Sequence, residues 1–304
     1  MNNEITDSSY NSILNLREIT LYLNGNIEKG KIPYLNKQVI CNFPNSNEVV
    51  MDIKLLTVFL KPVIRSGSLF RINLLGGNIF NYPFLKELIN IFKPLEVEIQ
   101  ICFYLNITDI EKEHEKLNLL LQFPNSKFIF NLENSSCLEF IDVLKQYLPA
   151  DKVEYNCIVE CIDDVNRFQK LEDNNFNINY LPAFNGLNLE FFKKNVFTDI
   201  EDIMSLIPNQ NEVFNNIKMN SKNYGKITIF NNGDIYANMN HEILGNISKI
   251  SVTEIISKEF HSGNSWFLTR DKVNPCKNCV YNILCPPISN YEHVLNKFNL
   301  CNIQ

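Results

Sequence analysis

Four cysteines near the end of the chain are the residues best suited to bind a metal centre. The sequence contains nine cysteines, and four of them fall within its last 29 residues: Cys276, Cys279, Cys285 and Cys301. Their spacing is C-x2-C-x5-C-x15-C, and a C-x2-C turn places two thiolates on one side of a tight loop. A zinc site needs four tetrahedral ligands, whereas a [4Fe-4S] cluster takes four thiolates over a wider footprint. The spacing leaves both metals open.

Two further groups of metal-ligand type are given structural interpretations. His293 offers an imidazole that could replace one thiolate at a zinc site, but it lies in a helix predicted from about residue 291 to 297, where we expect it to be exposed. Cys157 and Cys161 form a C-x3-C step with Asp164 where a third cysteine would be needed. We interpret Cys157 and Cys161 as packing residues.

Length and composition exclude several classes of protein. The chain has 304 residues, of which 45% are hydrophobic and 20% are charged, as in globular proteins. The formal net charge of −6 argues against a nucleic-acid partner. No run of about 18 apolar residues occurs, so we expect no membrane insertion. The first residues lack a secretory signal, so we expect a cytoplasmic location.

Segments with strand-like and helix-like patterns alternate from about residue 17 to residue 200. Short segments rich in β-branched and aromatic residues predict strands at 18–23, 70–75, 97–104, 128–132, 153–159 and 177–182. Amphipathic or charged segments between them predict helices at 84–92, 109–122, 138–147 and 163–171. This alternation predicts a parallel sheet, with about six βα units in a partial barrel. In such folds ligands gather at the carboxyl ends of the strands.

The pattern changes after about residue 210. Residues 227–237 predict a β-hairpin around an Asn-Gly turn, a short helix is expected over 252–257, and the polar stretch 205–222 predicts a boundary. We therefore expect an α/β fold with two domains. Residues 1–210 would form a partial (β/α)6-type barrel, and residues 211–304 a small cysteine-rich module.

The C-terminal cysteine segment resembles the SPASM domain, the iron–sulfur module of radical SAM peptide maturases. The resemblance rests on residues 274–301, and residues 232–236 and 244–247 resemble the hairpin and loop of that domain. It implies that the four cysteines hold one auxiliary [4Fe-4S] cluster, with Zn²⁺ as the alternative. Full SPASM domains hold a second cluster, but Ala237 and Ser289 stand at two of its ligand positions. One cluster is therefore expected, not two.

The earlier part of the chain resembles the partial barrel of radical SAM enzymes. In that family a Gly-Gly-Glu motif after the second strand contacts S-adenosylmethionine, and Gly76, Gly77 and Asn78 stand at this position. The resemblance makes them degenerate cofactor-binding residues, with Asn78 in place of the glutamate. The family also needs C-x3-C-x2-C after its first strand, where this chain has only Cys41. We therefore expect no cleavage of S-adenosylmethionine, and we assign no catalytic residue.

The whole combination resembles the pseudo-radical-SAM SPASM proteins found with small Gly-Gly-leader peptides in Bacteroidales, and is similar to the SPASM partner of ATP-grasp peptide maturases. It implies an accessory or modifying protein in the maturation of a ribosomally made peptide. The partners it implies are a precursor peptide and an ATP-grasp enzyme, a true radical SAM maturase or a peptidase-transporter. The alternative function is a zinc-stapled peptide- or protein-binding module without redox chemistry.

Overall fold

The main feature of the fold is a nine-stranded sheet. The computed structural model describes residues 13–25, 32–43, 49–95, 99–110, 112–133, 141–172 and 177–303. The strands are β1 (Glu18–Tyr22), β2 (Asn24–Gly25), β3 (Val49–Val50), β4 (Arg71–Leu75), β5 (Gln100–Leu105), β6 (Ser126–Leu132), β7 (Val153–Val159), β8 (Ile178–Pro182), β9 (Lys226–Ile229), β10 (Asp234–Tyr236) and β11 (Gly245–Asn246). The order in the large sheet is β11-β10-β9-β1-β4-β5-β6-β7-β8, and β2 pairs with β3 separately.

Seven neighbouring strands of this sheet are parallel. They run from β9 through β1 and β4 to β8, and β10 and β11 add an antiparallel edge. Six of the parallel strands end before residue 183, which confirms the predicted βα series. The seventh, β9, pairs with β1. The sheet therefore crosses residue 210, where the sequence predicts a domain boundary.

Helices follow most of the parallel strands. They are α1 (Ile53–Ser66), α2 (Leu85–Phe92), α3 (Ile107–Ile110), α4 (His114–Leu120), α5 (Ile141–Tyr147), α6 (Ile162–Glu172), α7 (Leu189–Asn195), α8 (Ile200–Ser205), α9 (Gln210–Lys218), α10 (Val252–Ser262) and α11 (Asn290–Val294). Within the described ranges, none of the helices combines the length and apolar composition that a membrane span needs.

The longest helix, α1, is missing from the sequence predictions because Lys61 and Pro62 interrupt its apolar run. The Asp52 side chain caps it by accepting hydrogen bonds from the backbone N–H groups of the second and third helical residues at 2.8 and 3.2 Å. Its apolar residues recur at helical spacing, and four of them are buried: Leu56, Phe59, Leu60 and Val63. Tertiary burial of this face therefore outweighs the cost of the internal proline.

Three other predicted segments differ from the structure. The helix predicted over 109–122 is replaced by the shorter α3 and α4, which end at Ile110 and begin at His114. The boundary stretch 205–222 contains α9, and the helix predicted over 252–257 extends to residue 262 as α10. Parts of two other predictions, residues 97–98 and 138–140, lie outside the described residues.

The two faces of the sheet have different contents. Because successive side chains of a strand point to opposite faces, residues such as Ile19 and Leu21 face the helices and join the large hydrophobic core. The opposite face carries a second, smaller set that we call the inner-face core: Tyr22, Phe43, Leu75, Cys102, Tyr104, Ile129, Phe230 and Tyr236. Its members come from both predicted domains, so it joins the first strands to the C-terminal hairpin.

Candidate metal centre

The first three cysteines lie on a tight loop between α10 and α11. Cys276–Asn278 form a 3-10 turn, and the backbone N–H of Cys279 donates to the carbonyl of Cys276 at 3.0 Å, which closes the C-x2-C step. A second turn brings Cys285 back, because its N–H donates to the carbonyl of Tyr281 at 3.1 Å. Cys276 is buried, and the other two are half-buried.

The fourth cysteine is positioned by a residue from the barrel part of the chain. Thr198 donates its N–H to the carbonyl of Leu300 at 3.0 Å and accepts from the N–H of Asn302 at 3.1 Å. These bonds form a parallel bridge between Thr198 and Cys301. The C-terminal segment is therefore held beside the cysteine loop by residue 198, a contact that the spacing of the cysteines does not predict.

All four cysteines border one cavity of about 190 Å³, which we call the cysteine cavity. Its walls also include Thr198, Lys222, Arg270, Tyr291 and Glu292. Among the described residues, no three His, Cys, Asp or Glu side chains converge closely enough to hold a single metal ion. The four cysteines thus share one cavity without forming a close-set group of ligands for a single ion.

Arg270 connects the wall of the cysteine cavity to its surroundings. Its guanidinium donates to the carbonyls of Pro286 and Phe298 at 2.6 and 3.1 Å, to the Glu292 carboxylate at 2.8 Å, and lies 3.5 Å from the Cys276 sulfur. The Glu292 side chain is only 1% exposed, so this ion pair is buried. The arginine thus fixes the loop and places positive charge beside a thiol.

Burial controls the ionisation of the cavity thiols. Burial raises the pKa of Cys285 to about 11, and the neighbouring thiols add to this effect while Arg270 opposes it. Burial also raises the pKa of Cys276, again against Arg270. In the wall of the same cavity, burial lowers the pKa of Lys222; the Glu292 carboxylate opposes this effect and the Arg270 charge adds to it. Without a metal, the raised pKa values therefore keep the Cys276 and Cys285 thiols neutral at pH 7, and the basic side chains of Arg270 and Lys222 line the same cavity.

His293 is not exposed as the sequence predicts. It lies in α11, half-buried, with its ring 4.6 Å from the ring of His241. Burial, with His241 contributing, lowers its pKa to about 4. His241 is held by the Ser265 hydroxyl at 2.6 Å from its Nδ1. His293 is absent from the described walls of the cysteine cavity, so the zinc alternative gains no imidazole there.

The two cysteines of the C-x3-C step, Cys157 and Cys161, differ in exposure. Cys157 is buried in the large core, as expected of a packing residue, whereas Cys161 is exposed. The packing interpretation is therefore wrong for Cys161, because it lies past the end of β7, where its sulfur is 3.4 Å from the Asp164 carboxylate.

Gly76, Gly77 and Asn78 follow β4 and contact other parts of this chain. The N–H of Gly77 donates to the backbone and side-chain oxygens of Asn24 at 3.2 and 3.1 Å, and its carbonyl accepts from Asn106 at 2.9 Å. A methyl group on Gly76 would collide with Asn24. The Asn78 side chain caps the next turn through the N–H of Phe80. Polar groups that a cofactor would need at this position thus have protein partners.

The inner-face core fills the adjacent face of the sheet with rings. Tyr22 lies 4.4 Å from Phe43 and 4.8 Å from Phe230, and Phe230 lies 5.2 Å from Tyr236 between ring centroids. The Tyr22 hydroxyl donates to the carbonyl of Cys41 at 3.2 Å. Cys41 is itself buried. The described residues of the first loop, 32–43, therefore pack onto this face of the sheet.

The chain is similar in structure to several solved proteins. Streptococcus suis SuiB bound to its precursor peptide SuiA has a TM-score of 0.58, at 12% identity over 96% of this chain and 76% of SuiB. SuiB alone gives 0.59, at 14% identity over 95% of this chain and 77% of that chain. The protein anSMEcpe with bound AdoMet and a Cp18Cys peptide gives 0.54, at 13% identity over 92% and 95%. The fold is of the radical SAM type.

No family model matches the sequence, and no curated protein matches it. At identities of 12 to 14%, the structural likeness shows the fold alone.

The sequence did not identify Thr198, Arg270 and Glu292 as neighbours of the thiols. Of these three, only Arg270 could have been suspected from the sequence, because it is a basic residue six positions before the first of the four cysteines.

Proposed function

We propose that this chain is an accessory or modifying protein in the maturation of a ribosomally made peptide. It holds one [4Fe-4S] cluster on Cys276, Cys279, Cys285 and Cys301, binds the precursor peptide or a partner enzyme, and does not cleave S-adenosylmethionine. We assign the peptide to residues 1–210 and the cluster ligands to residues 211–304, with Thr198 of the first part holding Cys301 in place. The observation that carries the proposal is the single cavity bordered by four thiols.

The walls of the cysteine cavity suit a cluster. A cluster needs four thiolates around a volume, one at each iron, and the four cysteines are all lining residues of one cavity. When bound, it would supply a one-electron centre or a structural crosslink. A cluster with four thiolates is anionic, and Arg270 and Lys222 supply positive charge at its walls. Because Cys276 and Cys285 are neutral without metal, their ligation must release protons.

Metal analysis tests the cluster. We expect protein made and purified without oxygen to contain iron and sulfide in equal amounts, with little zinc. Zinc without iron or sulfide, in the same oxygen-free preparation, would favour the second candidate, a zinc-stapled binding module. The thiol chemistry of the cavity suits zinc as well as a cluster, so the metal content decides between the two candidates.

Turnover tests the remaining claims. With a strong reductant and S-adenosylmethionine, we expect no 5′-deoxyadenosine, and its formation would overturn the proposal. Short peptides encoded beside the gene, together with any adjacent ATP-grasp, radical SAM or peptidase-transporter protein, are the partners to reconstitute. A folded Cys279→Ala chain that supports normal peptide modification would show that the cluster has no role in the reaction.

A further inference from the structure

The four cysteines of the cysteine cavity are held by different parts of the chain. Cys276, Cys279 and Cys285 lie on one loop, whose turns are closed from within. The N–H of Cys279 donates to the carbonyl of Cys276, and the N–H of Cys285 donates to the carbonyl of Tyr281. Cys301 lies beyond α11, near the end of the chain. Three of the thiols are thus positioned by local turns, whereas the fourth depends on contacts of another kind.

The segment around Cys301 is bound to the connection between α7 and α8. In this connection Thr198 donates its N–H to the carbonyl of Leu300 at 3.0 Å, and its hydroxyl donates to the same carbonyl at 3.2 Å. The carbonyl of Thr198 accepts from the N–H of Asn302 at 3.1 Å. Cys301 therefore lies between two residues that are both bonded to Thr198. We call residues 193–199 and 300–302 together the C-terminal clasp.

Side chains add further contacts to the C-terminal clasp. The Nδ2 of Asn302 donates to the Asp199 carboxylate at 2.8 Å and to the carbonyl of Lys193 at 3.4 Å. Just before the clasp, the Lys297 ammonium lies 4.9 Å from the centre of the Phe197 ring. The partners in these contacts all belong to residues 193–199. The segment that carries the fourth thiol is therefore bound to the barrel part of the chain.

The barrel side of the C-terminal clasp is fixed by its own contacts. Phe197 is buried and donates its N–H to the carbonyl of Phe192 in α7 at 3.0 Å. Asp199 donates its N–H to the Asp202 carboxylate at 2.8 Å, in the capping box that begins α8. Thr198, between these two anchored residues, lines the cysteine cavity. The clasp thus holds the fourth thiol against an anchored part of the cavity wall.

We propose that Thr198 and Asn302 are positioning residues for Cys301, so that the barrel part of the chain holds the fourth iron of the cluster. This inference rests on the proposed function, because it needs a [4Fe-4S] cluster on the four cysteines. When the clasp opens, the loop keeps its three thiolates, and the iron bound by Cys301 is the one released. A movement of residues 193–199 therefore acts on one iron. It links the part of the chain that we assign to the peptide with the cofactor.

Loss of the fourth iron on oxidation tests the C-terminal clasp. With ferricyanide as one-electron oxidant, a [4Fe-4S]²⁺ cluster gives up one electron and one Fe²⁺ and leaves [3Fe-4S]⁺, which is detected by its EPR signal. We expect this signal to grow about tenfold faster in the Thr198→Val/Asn302→Asp chain than in the original chain, because a hydroxyl bond is lost and two carboxylates repel. Thr198→Val alone keeps both backbone bonds and should give a smaller increase, and it decides the question if the double variant does not fold.

Two further variants calibrate the rate. Asn185→Asp is the matched control, because the Nδ2 of Asn185 donates to the Glu160 carboxylate at 2.7 Å, and the substitution again places two carboxylates together. Neither residue is among the described walls of the cysteine cavity, so the rate should equal that of the original chain. Cys301→Ala removes the fourth thiolate and sets the upper limit of the rate.

Three results would overturn the inference: equal rates in the clasp variants and the original chain, an equal increase in Asn185→Asp, or loss of the whole cluster from the clasp variants without the [3Fe-4S]⁺ signal. Iron and sulfide are measured in every preparation before oxidation. If the original chain contains both and the clasp variants match its rate, the clasp inference fails and the proposed cluster stands. An original chain without iron and sulfide would overturn the proposed cluster, and the clasp inference with it.

Discussion

The cysteine cavity and the inner-face core differ in what occupies the space beside the sheet. At the first, four thiols border an open volume that the chain does not fill. At the second, stacked rings and asparagine amides from distant parts of the chain fill the space and bond one another. The two regions therefore differ in packing, and the proposed function assigns the metal to the open one.

Among substitutions that test this comparison, we expect the largest effect from one at the cysteine cavity. Cys279→Ser should abolish metal binding and lower the melting temperature, because a structural metal contributes on the order of 10 kcal/mol to the folding of a small module. Iron, sulfide and thermal unfolding measure it. Cys161→Ser removes an exposed thiol and should change neither. Equal metal content in the two variants would break the comparison.

A smaller loss is expected where the space is filled by packing. Phe230 is 1% exposed and lies against Tyr22 and Phe43. Phe230→Ala should reduce the free energy of unfolding by about 3–5 kcal/mol through lost burial and a cavity, with metal content unchanged. Phe214, 59% exposed on α9, is the control, and its alanine variant should unfold almost as the original chain does. If Phe230→Ala proved neutral in denaturant titration, the inner-face core would not be a packed unit.

The buried ion pair beside the thiols should give an intermediate effect. Glu292→Gln keeps the side-chain shape but leaves the Arg270 guanidinium without its carboxylate, at a cost of about 1.5–3 kcal/mol. The Glu190–Lys193 pair, with the glutamate 85% exposed, should respond to Glu190→Gln by less than about 0.5 kcal/mol. Chemical denaturation of both variants compares them, and similar losses would contradict the burial argument.

The smallest effect is a pH dependence in the metal-free protein. Because the pKa of Cys285 is raised to about 11 in the folded chain, its neutral thiol stabilises the fold below the ordinary thiol pKa. The unfolded chain ionises this thiol first, so the contribution is lost as pH rises to about 11. The difference in free energy of unfolding between the metal-free chain and its Cys285→Ser variant should therefore be smaller at high pH than at pH 7. Parallel pH curves would show that burial does not perturb this thiol.

The sheet could be predicted well because its signals are local. Runs such as the one that forms β7 (Val153–Val159) carry enough β-branched and aromatic residues to identify a strand without knowledge of its neighbours. Helix α1 could not be predicted, because its proline is tolerated only when Leu56 and Phe59 are buried by other elements. The half-burial of His293 depends in the same way on a residue far away in the chain, His241.

By itself the sequence established two facts: four cysteines lie close together near the end of the chain, and the three-cysteine motif is absent after the first strand. Only the tertiary structure decided how these facts combine. It seats Cys301 beside Thr198, pairs β9 with β1 and brings Arg270 to Glu292. The physical reason is that hydrogen-bond pairing, burial and ion pairing act between residues far apart in the chain, whereas spacing records only near neighbours.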